Sequence, residues 1–257
     1  MSRFGNLEFE GAGEHLATPA EVITDEARFL GEAETAFRGG YFEQALRLFG
    51  RVLESNPKSA PAWIGQVRML IELGEFAEAK VWADKALDHL PNEPELLAAK
   101  GVALARAGDT EAALAFSDAA IGERGDTPYI WLARGDVLLA RAEKRADFCF
   151  AKALAAMPGD WLWAWLASRV HLFYRRFALA LKLARQALAL ETGAAVVWLQ
   201  LGRCQLELGL ADEAHQALAQ ARQLDPACPA AESVRDEFRD TGWLRRLQGR
   251  WRRLWHA

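Results

Sequence analysis

Apolar residues recur along this chain at intervals of three and four, in runs of about a dozen residues that glycine or proline interrupts. Between residues 60 and 93, Trp63 opens one such run, Gly74 ends it, and a second run continues to Pro91. This spacing is typical of amphipathic helices, and glycine and proline are typical of helix ends. The pattern therefore predicts a pair of antiparallel helices joined by a tight turn.

The same pattern repeats about every 34 residues. One column of the repeat holds only alanine, at positions Ala45, Ala79, Ala113, Ala146, Ala180 and Ala214. Glycine recurs with the same step at Gly40, Gly74 and Gly108. A period of this length indicates a solenoid, in which small residues let paired helices approach closely and each hairpin buries its faces against its neighbours.

The columns together resemble the tetratricopeptide repeat family. The final unit carries the pattern clearly at Trp198, Leu201, Gly202, Gly209, Ala214, Ala221 and Pro226, and the first unit at Phe29, Ala33, Gly40, Phe42, Ala45, Phe49 and Pro57. The middle units depart from it, with Ala142 and Arg175 at turns where glycine is usual, and Thr192 in place of the closing proline. The resemblance implies an all-α fold, a right-handed α-solenoid of stacked helical hairpins.

We divide the chain accordingly into an acidic, partly irregular N-terminal segment, six repeat units and a C-terminal segment. The N-terminal segment is 1–25, the units are 26–59, 60–93, 94–127, 128–160, 161–194 and 195–228, and the C-terminal segment is 229–257. In the last segment we expect a capping helix followed by a basic amphipathic helix.

The family resemblance also implies that the first helix of each unit lines a concave groove that binds a protein or peptide. The predicted groove residues are Glu34, Phe37, Arg68, Ile71, Asp136, Leu139, Trp165, Arg169 and Arg203. These columns lack the lysine and asparagines with which related chaperone-binding proteins clamp a terminal carboxylate, which argues against that role. An apolar stripe with single arginines favours an amphipathic helix or an extended peptide carrying a few acidic residues.

An aromatic cluster at Trp161, Trp163 and Trp165 has two interpretations at this stage. The indoles are a recognition patch in one of them, because aromatic side chains bury large areas at low entropic cost. In the other, they fill the space left by Ala164, which stands where the repeat usually carries a bulky residue.

The C-terminal segment also has two interpretations. Tryptophan and arginine dominate its surface, at Trp243, Arg245, Arg246, Arg250, Trp251, Arg252, Arg253 and Trp255. A helix with this composition is typical of segments that lie on anionic membranes, which makes a peripheral membrane protein the alternative function. The other interpretation is a helix that covers the end of the solenoid.

Composition and charge exclude other classes of function. The net charge is −4, which argues against a nucleic-acid partner. Five scattered histidines and three cysteines show no metal-ligand spacing, and we predict no enzymatic activity, no metal, no cofactor and no small-molecule substrate. Reduced cysteines and the lack of a signal-peptide or membrane-spanning pattern indicate a cytoplasmic protein, with membrane association through the tail as the alternative.

Overall fold

The computed structural model describes residues 19–123 and 125–228, with side chains from residue 25 onward. Every regular element in this part of the chain is an α-helix. In chain order they are α1 (Pro19–Arg38), α2 (Phe42–Ser55), α3 (Ala60–Glu72), α4 (Phe76–His89), α5 (Pro94–Arg106), α6 (Thr110–Gly122), α7 (Pro128–Ala140), α8 (Ala146–Ala156), α9 (Trp161–Phe173), α10 (Phe177–Leu190), α11 (Ala195–Glu207) and α12 (Ala211–Leu224). Helix α1 thus enters the segment predicted to be partly irregular, and the predicted C-terminal helices lie outside the described residues.

The chain divides into two compact units, unit 1 up to Cys149 and unit 2 from Phe150 onward, so that the boundary falls within α8. In unit 1, the hairpins α1/α2, α3/α4 and α5/α6 are packed in series, and α3, α5 and α7 are neighbours. In unit 2, α9 packs on α10 and α11, and α11 packs on α12. The solenoid arrangement predicted from the 34-residue period is therefore present within each unit.

The alanine column marks the places where paired helices touch. All six of its members have no exposed surface, which explains why a larger side chain is not found there. Glycine on the first helix of a hairpin has a similar role, since a Cβ atom at Gly101 would lie 3.2 Å from the carbonyl oxygen of Ala113. The close approach of two helix backbones thus explains the small residue at both positions, the alanine on the second helix and the glycine on the first.

The turns between paired helices share one backbone conformation. Gly40, Gly74, Gly108 and Gly209 have positive φ, between 74° and 98°. Ala142 and Arg175 occupy the equivalent turns with φ of 57° and 60°, although side chains disfavour this left-handed region. The repeat therefore imposes the turn geometry even where the sequence departs from glycine.

Tryptophans at the start of the first helices fix the loops between hairpins. The indole N–H of Trp63 donates to the carbonyl of Pro57, and that of Trp198 donates to the carbonyl of Thr192, each at 2.8 Å. Both bonds reach six residues back along the chain, and Trp131 donates to the carboxylate of Asp126 in the corresponding loop. Because Thr192 holds the loop through its carbonyl, the usual proline is not needed for this contact.

Candidate protein-binding cleft

A cleft of about 610 Å³ lies in unit 1, on the side formed by the first helices of the hairpins. Helices α1, α3, α5 and α7 all contribute to it, together with the loop that precedes α7. Its apolar lining comes from Leu30, Phe49, Ile64 and Ile130, with Pro61 and Pro94 at helix starts. This volume is in the range of protein ligand pockets, roughly 300–1,000 Å³.

Acidic side chains dominate the charged part of the lining. Four carboxylates contribute, Glu34, Glu93, Glu95 and Asp126, against the single guanidinium of Arg68. Glu34 is already paired, because Arg38 donates to its Oε1 at 2.8 Å one helical turn away. Glu93 and Glu95, at the start of α5, have no ion-pair partner among the described residues.

Arg68 is held between two aromatic rings. Its guanidinium carbon lies 5.0 Å from the ring centroid of Phe37 on α1 and 4.2 Å from that of Tyr129 on α7. A cation over an aromatic face is attracted by the ring quadrupole, so these contacts connect α1, α3 and α7 beside the cleft. Arg68 also lines the cleft, so its guanidinium group is a hydrogen-bond donor that a ligand there can meet.

Glu95 is oriented by the hydroxyl group of Thr127. Thr127 precedes α7, and its Oγ1 accepts a hydrogen bond from the backbone N–H of Ile130 at 3.4 Å, as an N-cap does. The same hydroxyl donates to Oε1 of Glu95 at 2.7 Å. The end of one helix thus positions a carboxylate on the neighbouring one.

The phenol of Tyr129 is sensitive to the same charges. Burial is the main cause that raises the pKa of Tyr129 well above its ordinary value, and Arg68 opposes the rise. Nearby carboxylates, Glu95, Glu72 and Asp136, raise the pKa further because they disfavour a phenolate. The ring therefore remains a neutral hydrogen-bond donor throughout the physiological range.

The groove residues predicted in unit 1 divide between the cleft and the core. Glu34 and Arg68 line the cleft. Phe37 and Ile71 are buried, with 2% and 4% of their surface exposed, and Leu139 is half-buried. Their column thus belongs mainly to the packing between helices.

Asp136 is also in the interior, at 2% exposure, where the sequence predicted a groove position. Its Oδ2 accepts two hydrogen bonds from Arg106, from Nε at 3.0 Å and from Nη2 at 2.7 Å. The carboxylate therefore neutralises a buried arginine of the preceding repeat. Asp136 lies inside α7, as do its neighbours Arg134 and Gly135.

In unit 2, the aromatic cluster is mostly interior. Trp163 is buried, and Trp165 is 2% exposed, with its indole N–H donating to the carbonyl of Val196 at 3.2 Å. Trp161 is half-buried and meets the Trp165 ring edge-on at 6.0 Å. Burial favours the packing interpretation of this cluster over the recognition patch.

The two arginines predicted for this part of the groove are half-buried. Arg169 places its guanidinium carbon 5.0 Å from the Trp165 ring, and Arg203 lies on the neighbouring helix α11. The predicted tail residues Trp243, Arg245, Arg246, Arg250, Trp251, Arg252, Arg253 and Trp255 lie outside the described residues.

Sequence reasoning did not identify Glu93, Glu95, Asp126 and Thr127 as site residues. The prediction followed positions in the middle of the first helices, whereas these four residues lie at or before helix starts. A signal was present, because two carboxylates flank Pro94 at the beginning of α5.

Other kinds of site are not seen in the part of the chain that the structure describes. Among residues 19–123 and 125–228, histidine, cysteine, aspartate and glutamate do not form a group of three that could hold a metal ion. Nor does any helix in these ranges have the length and apolar character needed to cross a membrane.

Comparison with known structures finds the same fold at low sequence identity. A thermophilic tetratricopeptide repeat protein from Thermus thermophilus matches 70% of this chain and 99% of its own, with a TM-score of 0.54 and 22% identity. A repeat protein from Parabacteroides merdae matches 85% of this chain and 84% of its own, with a TM-score of 0.53 and 16% identity. At these identities the likeness shows the fold alone.

A search of curated proteins finds no match at a significant level. The sequence profile of the tetratricopeptide repeat matches residues 36–103 and 174–236, just over half of the chain. Proteins of this family are generally scaffolds for protein–protein interaction and typically have no catalytic role. With its repeated helical hairpins and its 34-residue period, the chain belongs to the tetratricopeptide repeat family.

Proposed function

We propose that this protein is a non-catalytic scaffold that binds a peptide or helix of a partner protein in the cleft of unit 1, as an adaptor or assembly factor. The observation that carries the proposal is the cleft itself, which combines an apolar lining with charged side chains from α1, from α3, from the start of α5 and from the loop before α7. When a peptide or helix binds in a groove, its apolar side chains provide most of the affinity and its polar contacts determine how it is aligned in the groove.

Arg68 is the central contact in this proposal. Its guanidinium group is pre-organised by the rings of Phe37 and Tyr129, so little side-chain entropy is lost when its N–H edges bind a carbonyl or carboxylate oxygen. Arginine is also among the residues most often found at the energetic centre of interfaces.

Charge reversal in the cleft tests the proposal. The Arg68→Glu variant should lose the partner proteins that the wild type retains from an extract of its host, and Arg169→Glu extends the test to the groove predicted in unit 2. Arg47→Glu is the matched control, since Arg47 is an exposed arginine of α2 that does not line the cleft. Equal retention by Arg68→Glu and Arg47→Glu, with circular dichroism showing intact helices in both, would contradict the proposal.

Membrane docking through the tail is the second candidate function. The sequence between Trp243 and Trp255 supports it, because arginines accompany tryptophans there without an acidic residue. Replacing Arg250, Arg252 and Arg253 with glutamate should abolish sedimentation with anionic liposomes. If the wild type does not sediment with them, this function is excluded.

We propose a cytoplasmic location, with the tail as the route to a membrane surface. Its support is that Cys149, Cys204 and Cys228 are all buried thiols in a chain whose cysteine spacing does not suggest disulfides. Nucleic acid does not fit the proposal, since the net charge is negative and the cleft is acidic.

A further inference from the structure

We propose that the cleft of unit 1 selects a protein segment that presents a lysine or arginine side chain to Glu93 and Glu95, next to apolar side chains that pack on Leu30 and Ile64. This inference rests on the proposed function and adds the chemistry of the partner. It also reverses the sign of the charge expected from the sequence, which favoured acidic peptides because the predicted groove was rich in arginine.

Charge complementarity is the first argument. Glu34 has Arg38 as its partner, but no lysine or arginine among the described residues forms an ion pair with Glu93 or Glu95. Two carboxylates at the start of α5 therefore share one cleft without an ion-pair partner among the described residues. A basic side chain from a partner would supply the missing charge, and complementary charges of this kind give an interface its specificity.

The position of Glu95 is the second argument. Thr127 holds one carboxylate oxygen, Oε1, through a hydrogen bond of 2.7 Å. The other oxygen accepts no hydrogen bond from a described residue, so it is available to a donor in the cleft. A charge-assisted bond to a carboxylate that is already oriented has less entropy to lose than a bond to a mobile one.

The balance of charge in the lining is the third argument. Glu93, Glu95 and Asp126 contribute three carboxylates to the cleft besides the paired Glu34, and Arg68 is the single cation among the described lining residues. Arg68 is itself held against the ring of Tyr129, at 4.2 Å from its centroid. The described lining therefore keeps a net negative charge that favours a basic partner.

The apolar lining identifies the occupant as part of a polypeptide. Leu30 on α1 and Ile64 on α3 line the cleft and are only partly buried, while Ile130 on α7 is 1% exposed and completes the wall. Apolar side chains of a partner would cover the first two. A segment with one basic residue between apolar residues can pair with the carboxylates and also cover these apolar side chains, whereas an isolated cation can only pair with the carboxylates.

Selection from a random dodecapeptide display library tests the inference on the full chain. Peptides selected by the wild type should be enriched in lysine or arginine flanked by apolar residues. One such peptide, labelled for fluorescence anisotropy, should bind the Glu93→Gln, Glu95→Gln double variant about tenfold more weakly, because the bonds lost are made to charged groups. The Glu32→Gln, Glu54→Gln double variant removes the same formal charge from exposed positions outside the cleft, so it should bind like the wild type.

The possible failures can be told apart. Enrichment of acidic or uncharged peptides whose binding is lost in Arg68→Glu would overturn this inference and leave the proposed function standing. Equal weakening in both double variants would also overturn it, since it would indicate attraction to overall charge. If neither the wild type nor its variants select any peptide, both the inference and the proposed function fail.

Discussion

The guanidinium carbon of Arg68 lies 4.2 Å from the centroid of the Tyr129 ring, although 61 residues separate the two along the chain. The contact joins α3 to α7 and places the cation in the cleft of unit 1. One arginine thus contributes both to the packing of the repeats and to the candidate binding surface.

Removing this cation should destabilise unit 1 modestly. For Arg68→Met, which keeps most of the aliphatic stem, we expect a loss of about 1–2 kcal/mol in the free energy of unfolding, because two cation–π contacts disappear. Urea denaturation measures the change. The control Arg47→Met, at an exposed position, should stay within about 0.5 kcal/mol of the wild type. Equal losses in the two variants would show that the stack has no stabilising role.

The buried pair of Arg106 and Asp136 should behave differently from exposed ion pairs. Its side chains are 9% and 2% exposed. Asp136→Leu leaves a buried guanidinium without its partner, so we expect a loss of about 3–5 kcal/mol. The exposed pair of Arg28 and Asp25 is the control, and Asp25→Asn should cost less than about 1 kcal/mol.

The double variant Arg106→Met, Asp136→Leu separates the charge from the packing. It should be more stable than Asp136→Leu alone, because no charge is then left unpaired in the interior. A loss of stability in the double variant equal to the sum of the losses in Asp136→Leu and Arg106→Met would contradict this account of the pair.

Glycine should stabilise the two turns that depart from the repeat. Ala142 and Arg175 have φ of 57° and 60°, a conformation that costs an ordinary residue about 1–2 kcal/mol. After the entropic cost of glycine is subtracted, Ala142→Gly and Arg175→Gly should each add about 0.5–1 kcal/mol to stability. Ala115→Gly is the control, because it lies inside α6 and should lower stability by about 1 kcal/mol. Thermal unfolding that shifts in the same direction for all three variants would refute the prediction.

Cys204 should be unreactive in the folded protein. Burial raises the pKa of its thiol to about 12, although hydrogen bonds to Ser168 and Gln200 oppose the rise. The thiolate is the reactive form, so iodoacetamide at pH 8 should modify Cys204 only after unfolding in urea. Mass spectrometry of the Cys204 peptide gives the readout. Modification of the native protein at the rate of an exposed thiol would show that the site opens.

Tyr129 should make the protein less stable in alkali. Its pKa is raised on folding, so the unfolded state releases the proton near pH 10 while the folded state keeps it. The stabilisation is therefore complete below pH 10 and is lost as the pH rises above it. Tyr129→Phe should reduce the fall in the free energy of unfolding between pH 9 and pH 11, measured by urea denaturation. An unchanged slope would indicate that Tyr129 is not the group responsible.

The sequence predicted correctly the structural features that recur in every repeat. The 34-residue period predicted the helical hairpins, and the structure confirms an all-α arrangement with buried alanines and turns of positive φ. Even Ala142 and Arg175 adopt a positive φ at these turns. The packing of the hairpins therefore outweighs the preference of a non-glycine residue for negative φ.

The cleft was harder to predict, because it depends on where helices from different repeats meet. Asp136 occupies a groove column, yet Arg106 from the preceding repeat holds it in the core. Glu95 lies outside those columns and enters the cleft because α5 begins beside Thr127. The position of a residue within the repeat predicts the side of the helix on which it lies, but it does not predict which side chains of the neighbouring helices it contacts.

Photo-crosslinking from inside the cleft is the most direct test of the claim that unit 1 binds a partner protein there. Benzoylphenylalanine would replace Ile64, which lines the cleft, and, in a matched protein, Val81, which is 54% exposed on α4. In cells of the host, irradiation should give discrete covalent adducts with a partner protein from position 64 and none from position 81. The same adducts from both positions, or adducts from position 81 alone, would contradict the assignment of the cleft as the binding surface.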